Sequence, residues 1–133
     1  MLDLISIGDV TEDVFVQVSA PATVKCERHN QHRCELCIPL GTKLAINRVD
    51  KLLGGNAGNV AIGSSRLKLK SALYAEVGDD STGKQLLQSF KDDKVSTNYF
   101  HLKRGQKSNY SVVLDFHDER TILVHHEARD YKL

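Results

Sequence analysis

The sequence predicts an α/β fold built on a largely parallel sheet. Three observations carry that expectation. A short apolar segment runs into a turn at Gly8-Asp9, a glycine-rich turn at Gly54-Gly55-Asn56-Ala57-Gly58-Asn59 opens an amphipathic helix, and a further strand and helix follow directly. Strand, glycine-rich turn, helix, strand, helix is the order in which parallel strands are joined by covering helices, and the handedness of such crossovers leaves few other arrangements.

Taken in order, Leu2 to Asp9 reads as a first strand entering a turn. Behind the glycines, Val60, Gly63, Ser64 and Leu67 recur at i, i+3, i+4 and i+7, so they are expected to form the helix's inner face, with small residues where a sheet approaches closely. Ser71 to Val77 is a short apolar run ended by Gly78-Asp79-Asp80, as a buried strand would be. Ser81 is the candidate N-cap of a second helix, whose inner face would hold Gly83, Leu86, Leu87 and Phe90. Four further segments alternate, or are β-branched enough, to be strands: Val14 to Val18, a stretch near Lys43 to Arg48, Asn109 to Phe116, and Arg120 to His126. His117-Asp118-Glu119 is short and polar, as a hairpin turn requires. No internal repeat or low-complexity segment interrupts this order.

Composition bounds the function. At 133 residues, with 41% hydrophobic and 26% charged residues, the chain is of ordinary single-domain size and can bury a core. A formal charge of +1 gives no global attraction to nucleic acid or to an anionic membrane. No apolar segment approaches the roughly 20 residues of a spanning helix, and no signal-peptide pattern opens the chain, so a cytoplasmic protein is expected.

The glycine motif at residues 54–59 is the most informative stretch. A helix N-terminus presents unpaired N–H groups and a partial positive charge, and glycines there let a polar ligand reach the backbone. Such a site suits sugar hydroxyls or phosphate. The run GGNAGNVAIGSSRLKLKSALYAEVGDDSTGKQL resembles the N-terminal signature of the ribokinase-like, or PfkB-type, carbohydrate kinases. Gly8-Asp9-Val10-Thr11-Glu12-Asp13 resembles that family's first-strand exit, where an aspartate binds sugar hydroxyls, and Tyr110 through Leu123 resembles the strands bearing its lid. The resemblance covers most of the chain except about residues 20 to 40.

What the resemblance implies is specific. The fold would be a ribokinase-like Rossmann-type αβα core, incomplete here, at about residues 2–9 and 51–105, with a small β-sheet lid at about 13–48 and 108–126. The chain would be the N-terminal, acceptor-binding portion of an ATP-dependent carbohydrate or nucleoside kinase. Asp13, Gly54, Gly55, Asn59 and, more loosely, Thr11 would contact the substrate. The family's glycine-rich anion hole and catalytic aspartate belong to its C-terminal half, and nothing resembling them occurs before Leu133. The chain alone is therefore expected to be inactive, with ATP and magnesium belonging to the complete kinase. Read without the family, Asp13 is a surface turn residue, Asn59 an N-cap, and Gly54-Gly55 an ordinary tight turn.

The segment CERHNQHRCELC at residues 26–37 departs from the family. Cys26, His29, Cys34 and Cys37 form a C-x2-H-x4-C-x2-C array with His32 to spare, and tetrahedral zinc takes four such ligands. Structural zinc pinning this insertion within the lid is one expectation, and a solvated loop with unligated thiols is the other. A disulfide is disfavoured in a reducing cytoplasm. Gly78-Asp79-Asp80-Ser81-Thr82-Gly83-Lys84-Gln85 matches the G-x-x-x-x-G-K part of a nucleotide loop, but Gln85 replaces the magnesium-holding Ser or Thr, and two carboxylates would repel phosphate. It reads as a strand exit and helix cap. His125 and His126 adjoin Glu127 with no ligand spacing to the cysteines, and are expected simply to be exposed.

Two functions from different classes follow. In one the chain grips the acceptor of a sugar or nucleoside kinase under its lid. In the other it is a non-catalytic module that forms a homodimer through its lid strands, with zinc stiffening them.

Overall fold

The computed structural model describes residues 1–18, 22–27, 30–116 and 118–131. Its elements in chain order are β1 (Leu4–Ile7), β2 (Thr11–Val18), β3 (Thr23–Glu27), β4 (Asn30–Cys37), β5 (Ile46–Gly54), α1 (Asn56–Arg66), β6 (Ser71–Gly78), α2 (Ser81–Asp92), β7 (Ser96–Lys103), β8 (Asn109–Phe116) and β9 (Glu119–His125). They form a parallel three-stranded sheet in the order β1-β6-β7, a four-stranded mixed sheet in the order β5-β2-β8-β9, and the β3-β4 hairpin. The expected α/β architecture with a small β-sheet lid is what the chain adopts.

The core lies between one face of the parallel sheet and the two helices. β6 is its centre: Leu73, Ala75 and Val77 are buried there with Ala57 and Ala61 of α1, Leu86 and Phe90 of α2, and Phe100 of β7. Strand β6 pairs in parallel on both sides, which explains why it reads as a nearly continuous apolar run. The Phe90 and Phe100 rings meet at 5.6 Å between centroids. The opposite face of this sheet leaves Ile5, Ile7 and Tyr99 exposed, with a Lys103–Glu76 ion pair of 2.7 Å set among them.

Helix α1 corrects the expected inner face. It turns Ala57, Gly58 and Ala61 inward, whereas Val60 and Leu67 are 50% and 79% exposed. The reason is steric: a Cβ on Gly58 would stand 3.1 Å from Leu53 and 3.2 Å from Phe90, so only the smallest side chains fit where helix meets core. Helix α2 follows expectation, with Gly83, Leu86 and Phe90 buried and Leu87 packed against the cluster. Its N-cap is Asp80 rather than Ser81, because the Asp80 carboxylate is the group that accepts from the Gly83 amide.

The lid sheet is assembled from distant parts of the chain. β2 pairs antiparallel with β5 and parallel with β8, and β8 continues antiparallel into β9. The strand expected near Lys43 to Arg48 lies further along, through Gly54, so Lys51–Gly54 run in the lid sheet. β8 and β9 close on Phe116 opposite Glu119; Asp118 takes φ +63° in the turn, and His117 lies outside the described residues. The described residues of the segment 26–37, expected as a loop, instead belong to β3 and β4, which pair antiparallel.

Candidate functional site

The site is built where the chain passes from β1 of the parallel sheet into β2 of the lid sheet. Val10 is fully buried and anchors the exit, after which Thr11 and Asp13 fall on one face of β2 because strand side chains alternate. Their partners are Gly54 and Leu52 on β5, and Asn109 and Ser111 on β8. Oδ1 of Asp13 accepts hydrogen bonds from the Thr11 hydroxyl and from the Ser111 hydroxyl, the latter at 2.6 Å. Ser111 and Asn109 are themselves buried, so the carboxylate is held from beneath by fixed groups. Oδ2 lies against Gly54, where any Cβ would overlap it.

Gly55, next in the chain, is the N-cap of α1 at φ 89° and ψ 137°, with no side chain capping the helix. A Cβ there would stand 2.5 Å from the Asp9 carbonyl oxygen, and the positive φ disfavours other residues as well. The first amides of α1 therefore have no acceptor within the helix, and its positive end sits beside the Asp13 carboxylate. An ordered carboxylate and free amide donors at one spot can accept from and donate to the hydroxyls of a polyol together.

Of the sequence-derived candidates, Thr11, Asp13, Gly54 and Gly55 are brought together. Asn59 stands apart: it is exposed in the first turn of α1, its amide donates to the Gly55 carbonyl at 2.9 Å, and among the described residues its side chain makes no bond to the Asp13 cluster. Its alternative role as N-cap falls to Gly55. Ser111 is the contact that sequence reading missed; the alternation of Asn109 to Phe116 was visible, but not which strand it would lie beside. His125 and His126 are exposed, as expected, but His126 also meets a carboxylate. Its Nε2 lies 3.2 Å from Asp9, whose other carboxylate oxygen accepts from the Tyr131 hydroxyl. Burial, followed by the Asp9 carboxylate, holds the Tyr131 phenol well above its ordinary range.

The four-ligand zinc expectation is corrected. β3 and β4 pair so that Cys26 stands opposite Cys34, and the two are joined in a disulfide with 4.1 Å between Cα atoms. Disulfide sulfurs are not thiolate ligands. Cys37 is free but three residues along the strand from Cys34, hence on its other face, and His29 lies outside the described residues. Among the described residues no group of three or more His, Cys, Asp or Glu side chains is placed to hold a metal ion.

The Gly78-to-Gln85 segment does not fit a nucleotide's phosphates. Asp80 fills the mouth of α2, accepting from the Gly83 amide at 2.9 Å, the Ser108 amide at 3.0 Å and the Ser108 hydroxyl at 2.6 Å. Burial opposes the charge of Asp80, but the Ser108 hydroxyl, the two amides and nearby Lys107 outweigh it and keep the carboxyl below its ordinary value. Asp79 similarly accepts from the Gly105 amide at 2.9 Å.

The profile of the pfkB family carbohydrate kinases matches residues 26–133. The chain belongs to this family. A fructokinase of Klebsiella pneumoniae is 39% identical over 69 residues, which make up 51% of this chain and 22% of that protein. A 5-dehydro-2-deoxygluconokinase of Bacillus thuringiensis (strain Al Hakam) is 38% identical over 52 residues, 39% of this chain and 16% of the relative. The chain thus spans about a fifth of the length of these pfkB relatives. The fold is shared with the ribokinase of Arabidopsis thaliana solved with ribose and ATP, at a TM-score of 0.73 and 17% identity over 94% of this chain and 36% of that one. It is shared too with the fructokinase of Halothermothrix orenii, at 0.69 and 21% over 96% and 38%. Among the described residues no helix is long and apolar enough to cross a membrane.

Proposed function

We propose that this chain forms the acceptor-binding side of a carbohydrate kinase, holding a sugar so that one of its hydroxyls can receive the γ-phosphoryl group of ATP. The observation that carries the reading is the Asp13 carboxylate, fixed by the Thr11 and Ser111 hydroxyls and laid against Gly54 at the uncapped start of α1. A carboxylate held in one orientation accepts from two adjacent sugar hydroxyls without reordering, and such positioning is a large part of phosphoryl-transfer catalysis. The carboxylate is carried on the lid sheet itself, so that movement of this sheet onto a bound sugar would bring it to the substrate and exclude water together. The only nucleotide-loop look-alike in the sequence is closed by Asp80, so donor nucleotide and magnesium are assigned to residues outside this chain. The 133-residue chain alone is accordingly expected to bind sugar without phosphorylating it.

The test is a ligand-observed NMR titration of the chain with a panel of sugars. Asp13→Ala should abolish binding while leaving the melting temperature within a few degrees; unchanged binding in that variant would sink the proposal. A second reading, self-association through the lid, is favoured by the apolar exposure of Ile122, Leu123 and Val124 on the open edge strand β9. Light scattering across a concentration series decides it: a monomer at every concentration would remove it.

A further inference from the structure

The Asp13 face continues past Asp13. Cross-strand neighbours share a face, so Phe15 and Gln17 of β2 lie beside Leu52, Asp50 and Arg48 of β5, and beside Val113 and Asp115 of β8, with Ile122 and Arg120 of β9 beyond. Two open cavities indent this surface. One, of about 320 Å³, is lined by Phe15, Gln17, Arg48, Asp50, Leu52 and Asp115. The other, of about 460 Å³, is lined by Phe15, Val113, Asp115, Asp118, Glu119 and Arg120. Phe15 and Asp115 are common to both, and Phe15 stands two residues, about 7 Å, along the strand from Asp13.

The charge on this surface is one-sided. Asp13, Asp50, Asp115, Asp118 and Glu119 are set against two arginines. Arg48 is already ion-paired with Asp50, and Arg120 stands directly opposite Asp115. Among the described residues, every cation on this face has a carboxylate neighbour, whereas Asp13 has only hydroxyl donors. An anionic group on a bound sugar would meet like charges with no uncommitted cation to offset them, and like charges at such range repel by more than thermal energy when solvent is partly excluded. Carboxylates beside an aromatic ring instead suit a neutral polyol, which offers hydroxyl donors and an apolar C–H face.

Resting on the acceptor-site reading above, we propose that the acceptor is an uncharged sugar, with Phe15, Asp50 and Asp115 selecting against sugar acids and sugar phosphates. The experiment is an NMR titration of the 133-residue chain at low salt with D-fructose, D-ribose and D-glucose, and with D-gluconate and D-fructose 6-phosphate. At least one neutral sugar is expected to bind about tenfold or more tightly than either anion. The preference should shrink at high salt, and also in Asp115→Asn and in the double variant Asp50→Asn, Asp115→Asn, each checked for its fold by thermal melting. An anion binding as tightly as the best neutral sugar, with Asp13→Ala abolishing both, would overturn the selectivity while leaving the acceptor site standing. A failure of all five ligands to bind would remove the acceptor site and this inference with it.

Discussion

Asp13 shows how far a single residue type can be read. Its identity and its place after a strand exit were legible, and so was the glycine pair that faces it. Legible too was the unsuitability of the Gly78 loop for phosphate. What no local pattern displays is the donor that fixes Asp13: Ser111 is 98 positions away and becomes a partner only through the β2–β8 pairing. Gly54→Ala is expected to force the Asp13 carboxylate off Thr11 and Ser111, costing about 1–3 kcal/mol of stability and the sugar affinity together. Denaturant unfolding and titration check the two losses. Asp80 carries a separate expectation. Its folded carboxyl is held below the ordinary value of 3.8, so its contribution is fully present above that pH and is lost as the pH falls through the lower, folded value. The melting temperature should therefore drop below about pH 4 in the natural chain, and drop less steeply in Asp80→Asn. That variant should already be weaker at neutral pH, by about 1 kcal/mol, because an amide nitrogen replaces one of the two oxygens that accept from Gly83 and Ser108.

Among the elements, α2 and β6 were readable because their apolar residues are large and their faces unambiguous. The face of α1 was not, since hydrophobicity ranks Val60 and Leu67 above Ala57 and Gly58, while the space under the helix admits only the small ones. The same crowding makes Phe90, fully buried against Gly58 and Phe100, the keystone of the helix layer. Phe90→Ala should cost about 3–5 kcal/mol, measured by urea unfolding. The β3-β4 hairpin was misread as a metal loop, because sequence spacing shows that cysteines and histidines are close without showing which backbone pairing sets them face to face. Cys26 opposite Cys34 in an antiparallel pair is a cross-link geometry. Reduction should speed proteolysis within residues 23–37 while leaving the Asp13 site's sugar affinity unchanged; limited digestion followed by mass spectrometry reads the first, and titration the second.

At the scale of the whole molecule, local order was visible and distant pairing was not. The parallel layer could be inferred from the alternation of strands and helices, but the lid's order, β5-β2-β8-β9, joins segments from both ends of the chain. Stability should follow the same division. Hydrogen exchange is expected to be slowest in β6, where six of the strand's first seven residues are buried, and fastest among the strands of the lid at β9, where all seven are exposed. The parallel β2–β8 contact also has a consequence for the order in which the protein is made. β2 leaves the ribosome early and can pair with β5 some 40 residues later, but the strand that supplies Ser111 is synthesised only after both helices. Closing so long a loop is slow, and domains tend to consolidate from the N-terminus as they emerge. Asp13 would thus wait with the Thr11 hydroxyl alone until β8 has emerged, and its cluster would set only after the helix layer is in place.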